Sequence, residues 1–285
     1  MRGDAKAHEM VAPATLAAVL ELMARKPGVW TPIAGGTELM VAFSAGHLAA
    51  KKLVSLWDVD ELRFIDTNPE SIVIGAGATF LDIRRHEVLS AELPLVAQAA
   101  GWIGAVANQG RATLGGNLAN GSPAADSAPA LLVYDAEVEL ISARGRRTIP
   151  CAEFFTGYKR NALAADELVC AVHLPRRFAG HQQYLRKVGA RRAMTISKVA
   201  LAATALLKDR VVTEIRIAAA SLAPYPTRMR KTEAVLLGNA LTGESIAEAR
   251  RALLDEAQPI DDIRSTAEYR RRVAANLLDE FLRGQ

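Results

Sequence analysis

The stretch ATLAAVLELMAR at 14–25 places Leu16, Val19, Leu20 and Met23 on one face at helical spacing, with Thr15 in position to cap it. TPIA at 31–34 reads as a short strand that runs into Gly35-Gly36 and then into a helix over TELMVAFSAG. KKLVSL at 51–56 is a further strand, with a short helix near DELRF. SIVIGAGAT at 71–79 predicts a strand with a glycine tail, and FLDIRRHEVLS predicts a helix after it. AEVELISARGRRTIP alternates apolar and polar positions around a turn at Arg144-Gly145, and DELVCAVHLP at 166–175 is a strand ended by Pro175. From residue 181 the texture changes to an antiparallel meander of QQYLRKVGA, VALAATALL and TEIRIAAASL, with Lys208-Asp209-Arg210 turning between the last two. Two helices close the chain, each opened by a capping box, Ser245-x-x-Glu248 and Ser265-x-x-Glu268. The last stacks Tyr269, Val273, Leu277 and Phe281 at intervals of four, a stripe that packs on the meander. The expectation is an α+β chain: an α/β unit over 1–57, a second over 58–176, and an antiparallel sheet with helices over 177–285.

The pattern breaks at ATLGGNLANGSPAADSAPAL, residues 112–131. Glycine costs about 1 kcal/mol and proline about 3 in a helix interior, so Gly115, Gly116, Gly121, Pro123 and Pro129 argue against a regular helix or strand. Leu114, Leu118 and Leu131 make the run too apolar for disorder. A long irregular segment inside a compact domain is usually functional. Gly75-x-Gly77 also follows a strand, but Phe80 stands where a dinucleotide fingerprint needs its third glycine, and the motif reads as a tight turn.

Composition removes several function classes. With 35 basic and 31 acidic residues the net charge is +4, and no dense basic stripe marks a nucleic-acid binder. No apolar run approaches the roughly 20 residues of a membrane helix. The first residues, MRGDAKAHEM, hold no apolar signal-peptide core, so the cytoplasm is the expected compartment. Cys151 and Cys170 fit a reducing compartment and are too few for an iron–sulfur cluster or a cysteine zinc site. The five histidines show no ligand spacing, and no metal is expected on this chain.

Two stretches share one device. IAGGTELM and ATLGGNLA each set Gly-Gly between an apolar stretch and a polar residue. Gly-Gly lets the backbone approach a ligand and turn to positive φ, and successive free N–H groups there make an anion site. Neither loop carries the lysine of a P-loop. Taken singly each is also a plain tight turn; together they suit one long diphosphate ligand.

PIAGGTELM at 32–40 and TLGGNLANGSPAADSAPAL at 113–131 resemble the two FAD-binding segments of the flavin subunit of molybdenum hydroxylases, the xanthine dehydrogenase and carbon monoxide dehydrogenase family. The resemblance covers the whole chain, and the second segment is its specific part. It implies a flavin domain of the vanillyl-alcohol oxidase and p-cresol methylhydroxylase type, built from two α/β subdomains. It implies non-covalent FAD held by Ile33, Ala34, Gly35, Gly36, Thr37 and Glu38 in the first loop. In the second it implies Ala112, Thr113, Gly115, Gly116, Asn117 and Asp126. Glycine N–H groups would meet phosphate, and Asp126 would accept from a ribityl hydroxyl; Asp126 also stands where it could cap a helix around Ala128–Tyr134. The resemblance also puts Leu168 and Val169 against the flavin ring and Lys187 near it, where a lysine would assist catalysis by stabilising the reduced flavin. A solvated strand lysine is the other reading of Lys187.

Departures from the family pattern narrow the comparison. Relatives of the carbon monoxide dehydrogenase kind carry an Asp-aromatic pair where this chain has Ala190-Arg191-Arg192-Ala193, so it looks more like the xanthine dehydrogenase kind. Ile103 stands where some relatives place a flavin-covering Phe. The resemblance implies a cytoplasmic FAD subunit that takes electrons from a small 2Fe-2S subunit beside a large molybdopterin subunit and passes them to NAD⁺ or another acceptor, in a dimer of heterotrimers. Rival readings are a free-standing flavin oxidase and a nucleotide-binding regulatory subunit.

Overall fold

A computed structural model describes residues 3–284. The first sheet is parallel, with Lys52–Ser55 between Glu9–Val11 and Thr31–Ile33. The helices Leu16–Arg25 and Leu39–Ser44 make the crossovers. Thr15 caps the first of these by accepting from the Ala18 N–H, and its buried face is the predicted Leu16, Val19, Leu20 and Met23. Those side chains share a core with Val54, Leu62, Leu168 and Cys170, which joins the first sheet to the second.

The second sheet orders its strands Ile65–Thr67, Ser71–Gly75, Leu168–Pro175, Glu137–Ser142 and Gly145–Pro150, every neighbour antiparallel. The expected α/β unit is therefore an antiparallel sheet with helices packed on it. The predicted helix over FLDIRRHEVLS is two, Phe80–Arg85 and Glu87–Glu92, broken at His86, whose ring accepts from the Leu89 N–H. The glycine-rich run is more regular than expected, forming the helices Leu114–Asn120 and Ala128–Val133. Thr113 caps the first of them, and Gly121 ends it at φ +59°. Tertiary contact overrides propensity here. A Cβ on Gly115 would lie 2.5 Å from the Ala76 Cβ, so only glycine lets this helix lie against the end of Ser71–Gly75.

The third sheet is the predicted meander, Gln182–Val188, Val199–Lys208 and Val211–Ala220, with Thr227–Arg228 at its edge. Leu185, Ala202 and Ala218 face the core of the second sheet. Leu201, Ala203, Ile215 and Ile217 face the other way, onto Leu278, Phe281 and their helix Ala267–Arg283. A third helix, Arg230–Leu236, packs on the first of the two predicted ones, which in turn packs on the last helix. Neither expected capping box forms at its expected position, and only the first of the two predicted helices has a box at all. Thr242 caps Gly243–Glu256 with Ser245 as its reciprocal partner, and Thr266 caps the last helix while Ser265 belongs to the Asp262 turn. Among the described residues no helix is long and apolar enough to cross a membrane.

Candidate functional site

Between the first and second sheets lies a cleft of about 570 Å³. Ile33, Ala34, Gly35, Gly36, Thr37 and Glu38 line one wall; Ala112, Thr113, Gly115, Gly116 and Asn117 line another, with Leu168 and Val169 at its back. The two glycine loops touch. A Cβ on Gly35 would lie 1.6 Å from the Arg111 carbonyl oxygen, so this glycine is required by the second loop rather than by a ligand. Gly36, at φ +74°, turns the backbone into Leu39–Ser44.

The loops differ in what they offer. Among the described residues the N–H groups of Gly35, Gly36, Thr37 and Glu38 donate to no protein acceptor. Four successive unpaired donors lining a cleft form a nest for an anion. The second loop has no such row, which corrects the expectation that its glycine N–H groups are free. Leu114 donates to the Ala78 carbonyl at 3.1 Å, Gly115 to that of Ala76 at 2.9 Å, Gly116 to Thr113 Oγ1 at 3.2 Å and Asn117 to the Thr113 carbonyl at 3.0 Å. This loop contributes room, since a Cβ on Gly116 would meet only Thr113 Oγ1, at 3.0 Å. Asn117 accepts from the Ser127 hydroxyl at 2.6 Å, which leaves its amide donors to the cleft.

Asp126 and Lys187 are brought together, though neither lines the cleft. The Lys187 ammonium donates to Asp126 Oδ2 at 2.6 Å and to the Trp102 carbonyl at 3.1 Å, and the Ser197 hydroxyl donates to Asp126 Oδ1. Both side chains are about nine-tenths buried. Burial pushes the Asp126 carboxyl above the usual carboxylate range, against the pull of Lys187 and Ser197. Nor does Asp126 cap Ala128–Val133, whose N-cap is Ser127. The pair ties the strand Gln182–Val188 to Trp102, next to Ile103 at the cleft wall.

Several lining residues carried no prediction. Gly77 reaches the cleft from the tight turn in which the Ala78 N–H donates to the Gly75 carbonyl. Met23, Trp30, Leu56 and Leu62 complete an apolar wall. Glu167 braces Ala164 by accepting its N–H at 2.8 Å, and a two-pronged bond from Arg147 holds that carboxyl below its ordinary range. Lys159 enters from a two-stranded hairpin, Phe155–Gly157 with Arg160–Asn161. Among the described residues no group of three or more His, Cys, Asp or Glu side chains is placed to hold a metal ion.

Residues 6–177 match the FAD binding domain in molybdopterin dehydrogenase, and residues 184–284 match the carbon monoxide dehydrogenase flavoprotein C-terminal domain. The chain belongs to this family. It is 31% identical over 261 residues to the xanthine dehydrogenase FAD-binding subunit of Escherichia coli O157:H7, covering 90% of this chain and 88% of that one. It is 28% identical over 254 residues to the carbon monoxide dehydrogenase medium chain of Hydrogenophaga pseudoflava, covering 88% and 87%. A structure of carbon monoxide dehydrogenase from the same organism superposes with a TM-score of 0.92 at 27% identity, over 96% of this chain and 95% of that one. The cofactor of the family domain is FAD, and the cleft fits it: a row of unpaired N–H donors suits a diphosphate, and the apolar wall suits a ring system.

Proposed function

We propose that this chain is the FAD-carrying electron-transfer subunit of a heteromeric molybdenum hydroxylase. The observation that carries the reading is the unpaired N–H row of Gly35–Glu38 inside a cleft that also gathers Gly116, Asn117, Leu168 and Val169. When bound, FAD supplies hydride and single-electron transfer, which suits a chain between a 2Fe-2S subunit and NAD⁺ or another acceptor. The N–H row holds the diphosphate, Asn117 offers its amide to polar cofactor atoms, and Leu168 and Val169 exclude water from the ring. Asp126 and Lys187 position the wall at Ile103 through the Trp102 carbonyl. The flavin subdomains are of the vanillyl-alcohol oxidase type, with boundaries near residues 57 and 176. The complex adds a large molybdopterin subunit, assembles as a dimer of heterotrimers and works in the cytoplasm.

The test compares the purified chain with and without its partner subunits. The isolated chain releases FAD on denaturation, hydroxylates no purine, N-heterocycle or aldehyde, and reduces an artificial dye with NADH. Hydroxylation by this chain alone overturns the electron-transfer role. A flavin-replete chain without NADH–dye activity removes NAD⁺ as the acceptor.

A further inference from the structure

The hairpin tip at Tyr158-Lys159 belongs to none of the three large sheets, yet it is fixed on the glycine helix. Asn161 donates its side-chain amide to the Ala119 carbonyl at 2.9 Å, in the last turn of Leu114–Asn120. At Gly121, which ends that helix, a Cβ would lie 3.3 Å from the Lys159 backbone. Lys159 itself is held at φ +50°, a left-handed conformation that non-glycine residues adopt at a cost. Strain of this kind, maintained by surrounding contacts, concentrates at functional sites.

The consequence is a cation in the cleft. The Lys159 ammonium makes no hydrogen bond among the described residues, and its charged neighbour is Glu38 Oε1 at 3.6 Å. The two side chains are 49% and 61% exposed, and exposed pairs of this length contribute little. Glu38 is also the last residue of the unpaired N–H row. A lysine anchored by its backbone, weakly partnered at its ammonium and placed beside four donors without acceptors is arranged for an anion. We propose that Lys159 is a cofactor-positioning residue whose ammonium takes the diphosphate of FAD in exchange for Glu38. The proposal rests on the FAD reading above.

Titration of the flavin-free full chain with FAD, at low and high salt, tests it. Lys159→Gln and Lys159→Ala are expected to raise the Kd for FAD about tenfold at low salt, the scale of one charge-assisted contact, and to flatten its salt dependence. Lys159→Arg restores binding to within about threefold, since it keeps the charge. Thermal unfolding without FAD separates loss of a contact from loss of the fold. Wild-type Kd and salt dependence in both neutral variants overturn the proposal. Absence of FAD binding by the wild-type chain overturns instead the reading on which it rests.

Discussion

Gly115 and Gly116 are neighbours of the same type with different work. A Cβ at Gly115 would also lie 2.9 Å from the Ala76 carbonyl oxygen that accepts its N–H, whereas the space beyond Gly116 opens to the cleft. Substitution should separate folding from binding. Gly115→Ala forces the helix off the strand end and should cost about 1–3 kcal/mol, the scale of overpacking, seen as a lower Tm in the flavin-free chain. Gly116→Asp should keep that Tm and lose FAD, because volume and like charge oppose a diphosphate and a contact of roughly 1.5–3 kcal/mol is at stake. Full flavin content in Gly116→Asp would show that the cofactor does not lie on this surface. The glycine pair was visible in the sequence, but the division of roles was not, because it depends on Ala76, about 40 residues away along the chain.

At the scale of elements, the end of Ala128–Val133 is bound to the third sheet through one carboxylate. Asp135, at φ +47°, accepts from Arg177 at 2.8 Å, Arg216 at 3.0 Å and Arg228 at 2.6 Å. Asp135→Asn tolerates the left-handed backbone and removes only the charge. It should cost about 1–3 kcal/mol in denaturant unfolding, less than a fully buried pair would, and less again at high salt. A loss under about 0.5 kcal/mol at low salt would mean that Glu214 and Glu233, which also bind Arg177 and Arg228, neutralise the cluster without it. Legibility follows the same line between local and distant causes. The long strands Glu137–Ser142 and Val211–Ala220 show their alternation, and Leu16–Arg25 shows its face. Glu9–Val11, Ile65–Thr67 and Phe155–Gly157 are three residues each, too short to carry a period. The glycine loops were legible because Gly-Gly is a local device. The Asp126–Lys187 pairing was not, since it joins residues whose meeting depends on how the third sheet sits on the second. Lys159 gave no signal at all, because its place depends on the left-handed hairpin tip.

Across the whole molecule, the cleft is built from both of the first two sheets, so a ligand in it should bind them into one unit. The two thiols report on this. Burial pushes Cys151 up to about 12 and Cys170 up to about 11, and both are shielded. Cys170 lies in the core shared by the first and second sheets, and Cys151 in the large core of the second. At pH 8 both are protonated, so alkylation of the native chain should be very slow and should quicken as pH rises towards 11, Cys170 ahead of Cys151. In rising denaturant, Cys170 should react as the first sheet parts from the second. FAD at about 100 times its Kd should add about 2.7 kcal/mol to that opening if it binds only the closed cleft. Labelling followed by peptide mapping, with and without FAD, measures the shift. A Cys170 labelling midpoint that FAD leaves unchanged would mean that the ligand does not bridge the two sheets, and the cleft would then hold it by one wall alone.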